Sequence, residues 1–249
     1  MVGIAAYAAY LPRLRLSRKA IVDAHRWADP GLAGKAKGER SMCNWDEDAV
    51  TMGVEASRAC LGDRRTTSLI AFASTSAPFA DRQHGGIVAG ALNLGEDLAS
   101  IDVGASQRAG TSALLQAFAA VASGQHADAL VIASDKRRSK AASAGELDNG
   151  DGAAAMFVGS GACALEFVAA HTATVDFIDH FRGAGEDFDY GWEERWIRDE
   201  GLAASCRRRW AALKKAGLKK PRTSRTSSCP PSAGPRPVLP KRPASRTTR

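Results

Sequence analysis

Paired cysteines are missing from this 249-residue sequence. Its five cysteines, Cys43, Cys60, Cys163, Cys206 and Cys229, are odd in number, form no Cys-x-x-Cys pair and have no histidine at ligand spacing. The pattern argues against a disulfide framework and against a metal site, and it fits reduced thiols in a cytoplasmic protein. Long hydrophobic runs are missing too. The opening MVGIAAYAAYLP has no basic residue ahead of it and is apolar for only about ten residues, too short to cross a bilayer and lacking the flank of a signal peptide. No membrane association is expected. Acidic residues are absent after Glu200, and this absence explains the charge. The chain has 34 Lys and Arg against 27 Asp and Glu, a formal +7. Fourteen of those bases fall at Arg207 or later, so residues 1–206 hold 20 bases against 27 acids and carry −7. The body is acidic and offers no basic groove. Residues 221–249 contain no aromatic to stack on a base, so nucleic acid is not an expected partner.

What the sequence does have is alanine, 48 residues, and glycine, 24. Small residues at this density favour helices packed closely on sheets, and the patterning supports an α/β class. SLIAFAST from Ser68, ASIDVGAS from Ala99 and ADALVIAS from Ala127 are short apolar runs that read as strands. DRQHGGIVAGALNLG, stopping at Gly95, and QRAGTSALLQAFAAVASG, stopping at Gly124, have helical spacing. Strands that are apolar at every position are expected in a mostly parallel sheet with both faces covered by helices. GAAAMFVG from Gly152 and CALEFVA from Cys163 look like a hairpin. Upstream, VGIAAYAAYLPRLRLS reads as two strands with a turn near Pro12. DEDAVTMGVEASRACLG reads as a helix with three acids in its first turn. Residues 30–43 read as an irregular connection. Seven of the ten prolines lie in 221–249, which has disordered composition. Its near-random Arg, Pro, Ser, Thr and Ala read as a frameshifted or truncated end rather than an evolved polybasic arm.

The junction IDVGASQRAGTSALL resembles the nucleophile turn of the thiolase superfamily, in its hydroxymethylglutaryl-CoA synthase and ketoacyl synthase III branch. GIAAYAAYLPRLRL is similar to that family's opening strands, GER with WDEDAVTMGVEAS to its first conserved helix, and NGDGAAAMFVG to its GDGAAA strand. TVDFIDHFRGAGEDFDYGWEERWIRDEG is similar to the stretch that leads into a second half. The resemblance covers roughly residues 2–218. It implies a thiolase-like α/β fold, represented by its N-terminal half: residues 1–170 as that half, 171–220 as the start of a connection to a missing second half, and 221–249 as the disordered basic tail. It implies an acyl-CoA acyltransferase or Claisen-type condensing enzyme, with a coenzyme A thioester as substrate and no cofactor. A homodimer formed through Ser100–Ala105 and a small zinc-ribbon and OB-fold acyl-CoA-binding protein are the implied partners.

Two departures bear on chemistry. The family's nucleophilic Cys position, five residues on from Asp102, is Gln107, and an amide forms no acyl-thioester. The general-acid Glu position is Thr75 in ASTSAP, a hydroxyl without useful acidity near neutral pH. Gln107 and Thr75 are therefore the candidate site residues, and the chain alone is expected to be impaired. In polyketide-loading ketosynthases a Gln in the Cys position accompanies malonyl decarboxylation, an option kept for a full-length parent. The blander reading makes Gln107 a helix cap. The alternative function is a non-catalytic thiolase-fold partner or scaffold subunit.

Other residues read as structural. His84, His126, His171 and His180 do not match the family's catalytic His, and His180 sits among Asp176, Asp179 and Arg182. Cys43, Cys60 and Cys163 read as core. Trp192 and Trp196 share a helical face, with core packing favoured over a lid. Arg207–Arg209 read as a solvated face before a coenzyme A phosphate contact.

Overall fold

The computed structural model describes residues 1–172, 174 and 176–202. The expectations for the basic tail and for Arg207–Arg209 lie outside the described residues. Two compact units divide the chain: one holds Met1–Ala169 with Arg182–Asp189, the other begins with Ala170–Phe181 and resumes at Tyr190.

The first unit is built on a six-stranded mixed sheet in the order β5-β4-β6-β7-β1-β8. β4 (Leu69–Ala73) lies between β5 (Ala99–Val103) and β6 (Ala129–Asp135) and is parallel to both. All five residues of β4 are buried, as expected for a strand covered on both faces. The remaining strands, β7 (Gly152–Ser160), β1 (Val2–Tyr10) and β8 (Leu165–Glu166), run antiparallel to their neighbours.

Two apolar clusters cover the sheet. On one face α2 (Ala49–Leu61) and α3 (His84–Ala91) contribute Met52, Ala56, Cys60 and Val88, which pack against Ile70, Phe72, Leu130 and Ile132. On the other face α4 (Ala109–Ala122) places Ala113, Ala117, Phe118 and Val121 against Ala71, Ala129 and Val131. Alanine on α4 lets that helix approach closely. A Cβ added at Gly110 would lie 3.0 Å from the Ala133 Cβ.

Several local expectations are corrected. β7 and β8 do not form a hairpin, because β1 inserts between them and pairs with both; side-chain alternation says nothing about which strand lies alongside. Residues 30–43 are ordered: after α1 (Arg18–His25), a 3-10 turn at Pro30–Lys35 leads to β3 (Glu39–Met42), which pairs with β2 (Leu14–Ser17). Of the three acids ahead of α2, only Asp48 serves the helix end. Its Oδ1 accepts from Val50 N–H at 2.9 Å and Thr51 N–H at 2.8 Å, with the Thr51 hydroxyl accepting from Asp48 N–H to complete a capping box. α3 stops before Gly95, with Asn93 in the left-handed region at φ 52°, a conformation Asn tolerates better than most residues.

In the second unit β9 (His180–Phe181) pairs with β10 (Tyr190–Gly191), and a short helix α5 (Glu194–Trp196) follows. Trp192 and Trp196 are 50% and 42% exposed, which overturns their reading as core. Trp192 precedes α5, and the two rings lie 5.8 Å apart at a tilt.

Candidate functional site

The three parallel strands end together, where open α/β sheets hold their sites. Ser74 N–H donates to Val103 O at 3.1 Å, holding the exit of β4 against the exit of β5. β5 then enters a tight turn in which Ala105 has φ 60°. A non-glycine residue there carries local strain, and such strain is common in turns that present a functional side chain. Ser106 orders the turn: its hydroxyl accepts from Arg108 N–H at 3.1 Å and its carbonyl from Ala109 N–H at 2.9 Å. Gln107 is exposed on this turn. The N-cap of α4 is Arg108, so Gln107 does not occupy the capping position.

Gln107 lines a cavity of about 380 Å³ with Ser106, Thr111, Leu114, Ala73, Ala133, Asp135 and Met156. Polar side chains and apolar ones share this lining about equally, and with a helix N-terminus beside them they suit a small acyl group with a polar end. Thr75 is not among the lining residues. It is tied to the cavity through Asp135, a residue the sequence reading passed over. Asp135 Oδ1 accepts from Thr75 N–H at 2.7 Å, Thr75 Oγ1 at 3.0 Å, Ser76 Oγ at 2.8 Å and Ser74 Oγ at 3.1 Å. One carboxylate oxygen thus gathers the whole Ser74–Ser76 turn. A signal was present, since a lone acid at the carboxyl end of an otherwise apolar strand is out of place unless it has partners.

A second missed residue is Arg182. It donates to the Thr75 carbonyl and lies 3.9 Å from Asp189, which is also paired with Arg137. The Thr75 turn is therefore held from the Arg182–Asp189 segment as well. Of the acids expected around His180, Asp179 is the one that meets its ring, Oδ1 lying 2.7 Å from Nδ1.

Neither thiol of the buried core, Cys43 or Cys60, is poised as a nucleophile. Burial, with Asp151 beside it, pushes the Cys43 thiol up to about 12, and burial raises that of Cys60 as well; both stay protonated near neutral pH. Cys43 and Cys60 are buried and Cys163 is half-buried. Among the described residues no group of three or more His, Cys, Asp or Glu side chains is placed to hold a metal, and no helix is long and apolar enough to cross a membrane.

The fold that carries this strained strand-to-helix turn at the foot of α4 is thiolase-like. Solved structures of that fold align with nearly the whole chain. A hydroxymethylglutaryl-CoA synthase complexed with CoA superposes with a TM-score of 0.74 at 19% identity, covering 88% of this chain and 57% of that one. A 3-oxoacyl-(acyl-carrier-protein) synthase III superposes with a TM-score of 0.68 at 17% identity, covering 88% and 75%. The particular kinship in sequence is with hydroxymethylglutaryl-CoA synthases. The chain is 30% identical to that of Methanobrevibacter smithii over 195 residues, 76% of this chain and 56% of the relative. It is 31% identical to that of Pyrococcus horikoshii over 193 residues, 75% and 54%. The chain thus spans about half the length of these curated relatives. No family model matches it.

Proposed function

We propose that the chain is an acyl-CoA-handling module of the condensing-enzyme type, in which Gln107 replaces the acylated cysteine. The observation that carries this reading is the place of Gln107: on the strained turn before α4, lining a cavity that also holds Ser106, Thr111 and Asp135. An amide there binds and orients a thioester carbonyl but forms no covalent bond to it. Condensation by this chain alone is accordingly weak. Thr75, held by Asp135 on both its N–H and its hydroxyl, contributes placement of the β4 exit rather than an acid. In a full-length parent, the Gln107 amide donates to the enolate formed when a malonyl thioester loses carbon dioxide. The substrate is a coenzyme A thioester and no cofactor takes part. We extend the proposal to a cytoplasmic homodimer joined along β5, and to a zinc-ribbon and OB-fold acyl-CoA-binding protein as partner. Division into an N-terminal half at 1–170, a connection at 171–220 and a tail at 221–249 belongs to the same proposal.

Acyl labelling tests it. Incubated with radiolabelled acetyl-CoA, the wild-type chain is expected to retain no covalent label, whereas Gln107→Cys gains a hydroxylamine-labile one. Absence of label on the folded Gln107→Cys protein, together with no acetyl-CoA binding by the wild type, removes the acyl-CoA reading. Malonyl-CoA decarboxylation that is unchanged in Gln107→Ala removes Gln107 from that step.

A further inference from the structure

His84 uses both ring nitrogens, and it joins the two segments that bear the site. Its Nδ1 lies 2.8 Å from Asp102 Oδ2 on β5, the strand that runs into the Gln107 turn. The same carboxylate accepts from the His84 backbone N–H at 2.7 Å and from Gly85 N–H at 3.0 Å, so Asp102 fixes both the ring and the start of α3. On the far side of the ring, Phe79 N–H donates to Nε2 at 3.3 Å. Phe79 belongs to the loop that leaves Thr75. The ring is stacked between Phe72 on β4, centroids 5.5 Å apart, and Phe79, 5.8 Å apart, and its side chain is only 6% exposed.

These contacts fix the tautomer. A backbone N–H is always a donor, so Nε2 is the bare nitrogen, and the proton sits on Nδ1 facing the carboxylate. Asp135 pins the loop at Thr75 and His84 pins it four residues later at Phe79. Resting on the acyl-CoA reading given above, we propose that His84 is a positioning residue of that site: bridging Asp102 and Phe79, it sets where the loop after Thr75 lies against the strand that delivers Gln107. It touches no substrate. Its effect reaches the cavity through the loop and through Asp102, and so falls on substrate binding.

The wild-type 249-residue chain and two variants of it decide this. His84→Asn keeps a donor toward Asp102 and loses the acceptor for Phe79; His84→Gln reaches Phe79 with its carbonyl and loses the Nδ1 donor. Long-range proton–nitrogen spectra of the wild type are expected to show a neutral His84 protonated on Nδ1. Amide exchange at Phe79 is expected to speed up about tenfold in His84→Asn and to stay within about twofold in His84→Gln, the size of effect expected for one lost hydrogen bond. The dissociation constant for acetyl-CoA is expected to rise about fivefold in His84→Asn alone. A wild-type His84 protonated on Nε2, or equal exchange at Phe79 in all three folded proteins, overturns the proposal, and the wild-type spectrum decides it even if a variant fails to fold. A wild type that binds no acetyl-CoA removes the acyl-CoA reading and with it the role of His84 in that site, while tautomer and exchange still report on the clamp itself.

Discussion

The Tyr10 hydroxyl at the end of β1 donates to Glu47 Oε1, and Glu47 Oε2 in turn accepts from Asn44 N–H at 2.7 Å. One carboxylate thereby links the sheet to the turn that begins α2. The bond to Glu47 is the largest cause that pushes the Tyr10 phenol up to about 12. Asn44 N–H first, and then Tyr10, hold the Glu47 carboxyl below its ordinary range. Both shifts have a definite sign. A raised phenol contributes stability that is complete below the ordinary tyrosine range and is lost as pH climbs toward 12, whereas a lowered carboxyl contributes stability that is complete above the ordinary glutamate range and is lost on acidification. Tyr10→Phe is expected to cost about 1 kcal/mol at neutral pH and to flatten the alkaline side of the stability profile. Urea midpoints measured from pH 6 to pH 11 check this.

Removing the Asp135 carboxylate leaves four donors at the Ser74–Ser76 turn without their acceptor. Asp135→Ala is expected to destabilise the protein by about 2 to 3 kcal/mol, through unpaired and partly buried polar groups. Asp135→Asn, which keeps one carbonyl acceptor, should lose less. Chemical denaturation of the two variants gives the order; equal losses would show that the acceptor oxygen does not matter.

Gly110 is a test of how tightly α4 sits on the sheet. With the Ala133 Cβ only 3.0 Å from the place a Gly110 Cβ would take, Gly110→Val must push the helix start away from β6. A loss of about 2 kcal/mol is expected from overpacking, together with a smaller cavity beside Gln107. Thermal denaturation reads the first, and weakened acetyl-CoA binding the second.

Thiol chemistry offers a quick check on the core. Because burial keeps Cys43 and Cys60 protonated, neither is expected to be alkylated by iodoacetamide at pH 8 while the protein is folded. In denaturant both should react. Peptide mapping by mass spectrometry distinguishes them, and early modification of Cys43 in the native protein would contradict its placement.

The parallel part of the fold was legible because residues 69–73 and 129–133 are apolar throughout, and only a doubly covered strand tolerates that. The antiparallel part was not. Nothing in GAAAMFVG or CALEFVA reveals that β1 lies between them, because pairing across more than 140 residues leaves no local mark. β3 was hidden in a Gly and Lys-rich stretch whose composition outweighed four extended residues. Gln107 and Thr75 were found through resemblance of their surrounding motifs, since neither residue type announces chemistry. Asp135 and Arg182 were missed for the opposite reason: their roles lie in contacts at a distance, 60 residues away for Asp135 with Thr75 and 107 for Arg182 with Thr75.

The place of β1 also sets the order in which the chain acquires its structure. Val2 is paired with Ser160 and Tyr10 with Ala153, and the Met1 carbonyl accepts from Gly161 N–H at 3.0 Å. On the ribosome the first strand is made early but has no neighbour until Gly152–Ser160 emerges. Closing so long a loop is slow, and at 5–20 residues per second β1 waits on the order of ten seconds with both edges open. During that interval the nascent chain is most exposed to aggregation, and chaperone demand during synthesis is governed by the late arrival of β7 rather than by β1 itself.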